Sequence, residues 1–239
     1  MGFIEKLTNV FASPGEVFDN VRLAPRSHSN WVIPWLLFAI VAVVLGQLVI
    51  HDSVLVAQFS ETIQKNFDKS VAAGKMTQDQ ADKAFEFARP GSFWFTLAQV
   101  VGSVFIPLIG IFLFGLVFWL LGRTAMNATA PYMKVVEVMG LCLFIGILEQ
   151  IVTTLMMIAL GSIHATPSLG LFVSPFDTEN KVHLALAKVN VFTFWYLGVV
   201  SVGLARIFQR DFPKVLVLVV ALWLVWTIAS LLLGFSFGG

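Results

Sequence analysis

The sequence holds a single cysteine, Cys142, and it sits in an apolar run. Neither a disulfide within the chain nor a thiolate metal cage can be drawn from it. Charge is scarce as well: Asp, Glu, Lys and Arg make up 12% of the 239 residues, about half the share of a soluble domain. The 15 cations and 14 acids leave a formal net charge of +1 with no basic block, which excludes the electrostatic footprint of a nucleic-acid binder. Gly-x-Ser-x-Gly, HExxH and a Gly-rich phosphate loop are all missing. His28, His51, His164 and His183 lack metal-ligand spacing. No two carboxylates fall within a turn of each other in any apolar run, so an intramembrane acid dyad is excluded. These absences argue against an enzyme. No catalytic residue, metal ligand or cofactor is expected.

What the chain does have is apolar bulk. It is 58% hydrophobic with 23 phenylalanines, and its mean hydropathy is +0.87. A water-soluble fold of this length cannot bury so much apolar surface. A spanning helix needs about 20 mainly apolar residues, and five runs supply them. Trp31 to Ile50 and Phe93 to Leu121 carry no charge. Val135 to Leu160 contains Glu137 and Glu149, and Asn190 to Phe208 is uncharged until Arg206. Phe212 to Phe235 is interrupted only by Lys214. Barrel strands are shorter and alternate, so the expected fold is all-α: a polytopic membrane protein with a bundle of five transmembrane helices, in one domain over residues 1–239.

An odd number of spans puts the termini on opposite sides. The N-terminal side carries Lys6, Arg22, Arg26, Arg123, Lys134, Arg206, Arg210 and Lys214. The opposite side carries Lys65, Lys69, Lys75, Lys83, Arg89, Lys181 and Lys188, spread over two longer loops. Cations in short loops near span ends set orientation, so the N-terminus is expected in the cytoplasm and the C-terminus outside. The first 30 residues are too polar for a signal peptide, and the first span is expected to stay as an anchor. Trp31, Trp35, Trp94, Trp119, Tyr132 and Tyr196 fall where interface belts would place them.

Outside the spans, Ser13-Pro14-Gly15-Glu16 signals a helix start, with Ser13 as cap and Glu16 completing a capping box. Two short amphipathic pieces flank it, placed either on the headgroups or under the bundle as a brace. Residues 51–92 read as an extracytoplasmic helical hairpin. Leu55, Phe59, Ile63 and Phe67 form its apolar stripe, Glu61 and Lys65 an i,i+4 pair, Gly74 its turn, and Thr77 to Gln80 the second helix cap. Residues 161–189 read as a long loop without regular structure.

The polar groups inside the spans are the candidate sites. Glu149 falls near the middle of its run, beside Gln150 and a turn before Thr153. A charge there costs about 2.5–3.5 kcal/mol on insertion scales. Three readings follow: a neutral carboxyl, a wet cavity, or hydrogen bonds to Ser201, Gln47 or Thr227. Glu137 and Arg206 are matched in depth near the cytoplasmic side and are expected to pair, or else to reach the headgroups separately. Pro107, with Gly102 and Gly110 around it, marks a helix kink in the second span. Ala98 with Gly102, and Ser201 with Ala205, are small pairs suited to close helix approach.

The opening Phe11-Ala12-Ser13-Pro14-Gly15-Glu16-Val17-Phe18, followed by Arg22, Pro25, Trp31 and Pro34, resembles that of bacterial members of the Yip1-domain family. Tyr132-Met133-Lys134-Val135-Val136 continues the likeness, as does Phe192-Thr193-Phe194-Trp195-Tyr196 through Gly198, Gly203 and Leu204 to Lys214 and Trp223. The resemblance implies five spans, an N-terminus in the cytoplasm, a bacterial inner membrane and no catalytic residues. Eukaryotic relatives have long N-terminal regions linked to Rab GTPases. Only about 30 residues precede the first span here, so Rab-type GTPase binding is not carried over. The function expected first is a non-enzymatic scaffold or adaptor organising membrane proteins or the bilayer, with lipids, other membrane proteins or a second copy as partners. The alternative is a small transporter, channel or lipid-moving protein using Glu149 and the Pro107 kink, although no inverted repeat is evident.

Overall fold

A backbone in hydrocarbon must satisfy its own hydrogen bonds, and every apolar run does so as a helix. A computed structural model describes residues 1–233, so Phe235, the expected end of the fifth run, lies outside the described residues. Two short helices, α1 (Phe3–Ala12) and α2 (Pro14–Leu23), lead into the first span, α3 (Ser29–Ile50). Helices α4 (Ser53–Ala72) and α5 (Gln78–Ala88) precede the second span, α6 (Phe93–Met126). The third span is α7 (Tyr132–Leu160). After it come a 3-10 turn (Leu169–Phe172), α8 (Lys181–Lys188) and the last two spans, α9 (Val191–Phe208) and α10 (Phe212–Leu233). Among the described residues, five helices are long and apolar enough to cross a membrane and no strand occurs.

The core is built around α7. Val135, Val136, Val138, Leu141, Cys142 and Ile145 are all fully buried on it, with α3, α6 and α9 packed around and α10 against α9. Two glycines mark close approaches to the neighbours of this core. A Cβ on Gly140 would lie 2.4 Å from the Cα of Trp31 and 2.8 Å from the Asn30 carbonyl, so α7 meets α3 at backbone distance. A Cβ on Gly203 would lie 2.5 Å from Val138, which marks the α9–α7 contact. The small pair Ala98 and Gly102 does no such work: a Cβ on Gly102 would meet only Ile106 of its own helix.

Between the two readings of the N-terminal pieces, the packing favours the brace. Val10, Val17, Phe18 and Val21 have no exposed surface, and α2 lies against α9 and α7. The expected capping box does not form there. Ser13 instead closes α1 by donating its backbone N–H to Asn9, and Pro14 opens α2 without a side-chain cap.

The hairpin follows the sequence signals closely. Thr77 and Gln80 exchange both bonds of a capping box, Gly74 takes φ +68° after α4, and Glu61 pairs with Lys65 at 2.7 Å. Its stripe faces this chain: Leu55 is buried, and Gln58 clamps the end of α7 through Gly161 and Ile163. The segment 161–189 is far from structureless. Besides the 3-10 turn and α8, Leu169 donates to Val189, Ser168 bridges Asn190 and Glu179 pairs with Lys69 of α4. A run of turn signals hid this order, because the segment is held by contacts distant in sequence.

His164 stacks on Phe176 in that segment, ring centroids 4.6 Å apart, and burial holds its imidazole below the ordinary histidine value. The unfolded chain then takes up the proton more readily, so the stability this contact contributes is present above the ordinary histidine range and is lost as pH falls through it. Hydrogen-exchange protection over residues 161–189, taken relative to the intrinsic amide rate at each pH, is expected to fall on acidification from pH about 7.5 to about 5.5 and to lose that dependence in His164→Phe.

Candidate functional site

Asn190 sets up the site because one amide does two things. Its Oδ1 accepts the Phe192 N–H at 2.8 Å and caps α9, while its Nδ2 donates to Glu149 Oε1 at 2.7 Å. Glu149 therefore lies level with the start of α9. The last three turns of α7 run on past it, about 16 Å of helix, into the cap made by residues 161–189. None of the partners expected for Glu149 is the one it uses. Ser201, for example, returns its hydroxyl to the Leu197 carbonyl of its own helix.

Glu149, Gln150 and Thr153 all line one cavity of ≈490 Å³. Its other polar lining comes from elements far apart in sequence: Gln99 of α6, Thr166 and Lys188 of the cap, and Asn190 and Thr193 at α9. The remaining wall is apolar, with Leu45, Val49, Phe59, Phe95, Met157 and Trp223. Gln99 Oε1 is buried there without a hydrogen-bond partner. Its amide lies over Gly46, where a Cβ would come within 1.4 Å of Nε2, so the glycine makes room for it. A buried polar oxygen with no partner carries a desolvation cost.

The expected Glu137–Arg206 pair does not form. Glu137, 1% exposed, is ion-paired with Lys134 at 3.2 Å and accepts from Asn30 Nδ2 at 2.6 Å. Asn30 in turn accepts from Lys6 Nζ at 3.2 Å. Lys134 also donates to the carbonyls of Val21, Ala24 and Pro25, tying the end of α2 to α7. Arg206 meets Asp19 of α2 at 3.3 Å instead. The reason is the brace: α1 and α2 occupy the N-terminal side of the bundle and bring partners nearer to each group than they are to one another. Burial pushes the Lys6 ammonium below its ordinary value, and nearby Glu137 opposes that shift while Lys134 adds to it.

Pro107 lies within α6, which continues as one helix through it. Proline removes an N–H and crowds the preceding turn, and Trp35 of α3 donates its indole N–H to the Val104 carbonyl of that turn at 2.7 Å. α3 thus bonds to α6 within the turn that precedes the proline.

The sequence reading missed Gln99, Thr166, Lys188 and Asn190 at the cavity, and Lys6, Asn30 and Lys134 around Glu137. Two of these carried a local signal: Asn190 is a helix-cap residue ahead of an apolar run, and Gln99 is the one amide in the uncharged second run. Chemically, the cavity offers hydrogen-bond donors and acceptors within a largely apolar lining. Residues 8–234 match the Yip1 domain. No curated protein and no solved structure matches the chain.

Proposed function

The chain belongs to the Yip1-domain family, and on that premise we propose that it is a non-enzymatic membrane protein that binds a lipid-like amphiphile in the Glu149 cavity. The carrying observation is the convergence of Gln99, Glu149, Asn190 and Thr193 from three spans on one largely apolar space. Ionisable groups within a membrane cost several kcal/mol and cluster where substrates or ions pass. The ligand suited to this lining has an apolar body and a small headgroup that donates a hydrogen bond to Glu149. We place the N-terminus in the cytoplasm on the strength of the short-loop cations, assign a bacterial inner membrane on the resemblance of the opening motif, and treat residues 1–239 as one domain.

The test is to purify the full chain and identify what it retains by mass spectrometry. A near-stoichiometric amphiphile is expected with the wild type. Thr153→Trp should expel it by filling the cavity. Glu149→Gln should weaken retention about tenfold or more, the value of a hydrogen bond to a charged group. The proposal fails if all three retain the same bulk lipids.

A scaffold or adaptor role is the second reading. It is favoured by α6, whose Leu97, Val101, Phe105, Ile109, Leu113, Leu116 and Leu120 are exposed along one face of a helix about 51 Å long, well beyond the hydrocarbon thickness. The N-terminal helices already pack under the bundle through Val10, Val17, Phe18 and Val21, whereas the hairpin of residues 51–92 keeps most of its surface exposed. Crosslinking in cells through the α6 face would then yield recurrent protein partners, and the absence of any would remove this reading.

A further inference from the structure

A second cleft, of ≈550 Å³, opens at the end of the bundle that carries the N-terminal helices, away from the Glu149 cavity. We propose that it binds the phosphate of an anionic lipid headgroup, a phosphodiester of the phosphatidylglycerol type. Arg22 of α2, Arg206 of α9 and Arg210 of the α9–α10 turn line it, with Asp19 and Asp211 as the acids and Phe212 at its edge. Three guanidiniums against two carboxylates leave one positive charge, which a phosphodiester neutralises.

The acids are already engaged. Asp19 is shared between Arg22 at 3.5 Å and Arg206 at 3.3 Å, while Asp211 is drawn to Lys214 at 2.6 Å. Arg22 and Arg206 each bring five N–H donors, and Asp19 takes up only part of them. The Arg206 guanidinium lies over Gly15, where a Cβ would come within 3.2 Å of Nη2. Arg210 is fixed separately, donating to the Met126 and Asn127 carbonyls at 2.7 and 3.1 Å. Planar guanidiniums suit phosphate oxygens better than ammonium groups do. The cleft also lies at the right depth, because α9 ends at Phe208 and α10 begins at Phe212, so the turn between them marks the membrane surface. Basic pockets between spans at that level take anionic headgroups.

Free phosphate shares this chemistry, so the experiment separates the two sources. The full-length protein is reconstituted in nanodiscs containing phosphatidylglycerol and phosphatidylcholine, released, and analysed by native mass spectrometry. Preferential retention of phosphatidylglycerol is expected. Arg22→Gln and Arg206→Gln should each lower it about fivefold, and Asp19→Asn should raise it by releasing both guanidiniums. Should the arginine variants fail to elute as folded protein, Asp19→Asn decides alone: a rise supports the site and no change overturns it. Equal retention of the two lipids overturns the proposal. Displacement of phosphatidylglycerol by excess inorganic phosphate overturns the headgroup assignment in favour of a soluble phosphate ligand.

Discussion

Replacing Lys134 by methionine is expected to cost about 3–5 kcal/mol of stability, the range for removing one partner of a buried ion pair. Lys134 is 7% and Glu137 1% exposed. Without the ammonium, Glu137 keeps only the Asn30 amide, and the Val21, Ala24 and Pro25 carbonyls lose their shared donor. Removing both charges together, in Lys134→Met with Glu137→Met, should cost less than the single change, since no unpaired charge is then buried. Thermal loss of monodisperse elution measures both variants. A Lys134→Met protein as stable as the wild type would show that the network does not hold α2 to the bundle.

Gly140→Ala is the second large effect, expected at about 1–3 kcal/mol or more from overpacking. The added methyl would collide with the Cα of Trp31 and the Asn30 carbonyl, and backbone atoms cannot turn aside. Helices α3 and α7 must separate, disturbing the Asn30–Glu137 bond as well. Gly46→Ala is the contrasting control. Its nearest neighbour is the far end of the Gln99 side chain, which can rotate away, so that variant should stay folded while altering the cavity. Equal losses for the two glycine variants would contradict this distinction.

The five spans were legible because apolar length is a local property, and the hairpin was legible because Thr77, Gln80 and Gly74 act within a few residues. The brace was harder to read. The same amphipathic faces serve a membrane surface or a bundle floor, and only the burial of Phe18 and Val21 separates the two. Arg206 was matched to Glu137 by depth alone, a one-dimensional measure blind to the nearer Asp19 on α2. Glu149, Gln150 and Thr153 stood out as polar residues in an apolar run, and they do line one space. What could not be read was their company. Asn190 reaches Glu149 across 41 positions of sequence, and Gln99 arrives from a different span, so the cavity exists only in three dimensions. Gly140 and Gly203 were also invisible as contact points, since small-residue spacing alone favoured Gly102.

The central claim is that the Glu149 cavity holds an amphiphile, and photocrosslinking from inside it tests this most directly. A small diazirine amino acid at Thr193, close to leucine in size, would sit in the cavity wall without filling it, and one at Leu224, exposed on α10, would sample bulk lipid. Titrating membranes with a radiolabelled amphiphile should give saturable capture at position 193, competed by unlabelled compound and reduced in Glu149→Gln, against linear, uncompeted labelling at position 224. Linear labelling at both positions, or none at 193, would contradict the account.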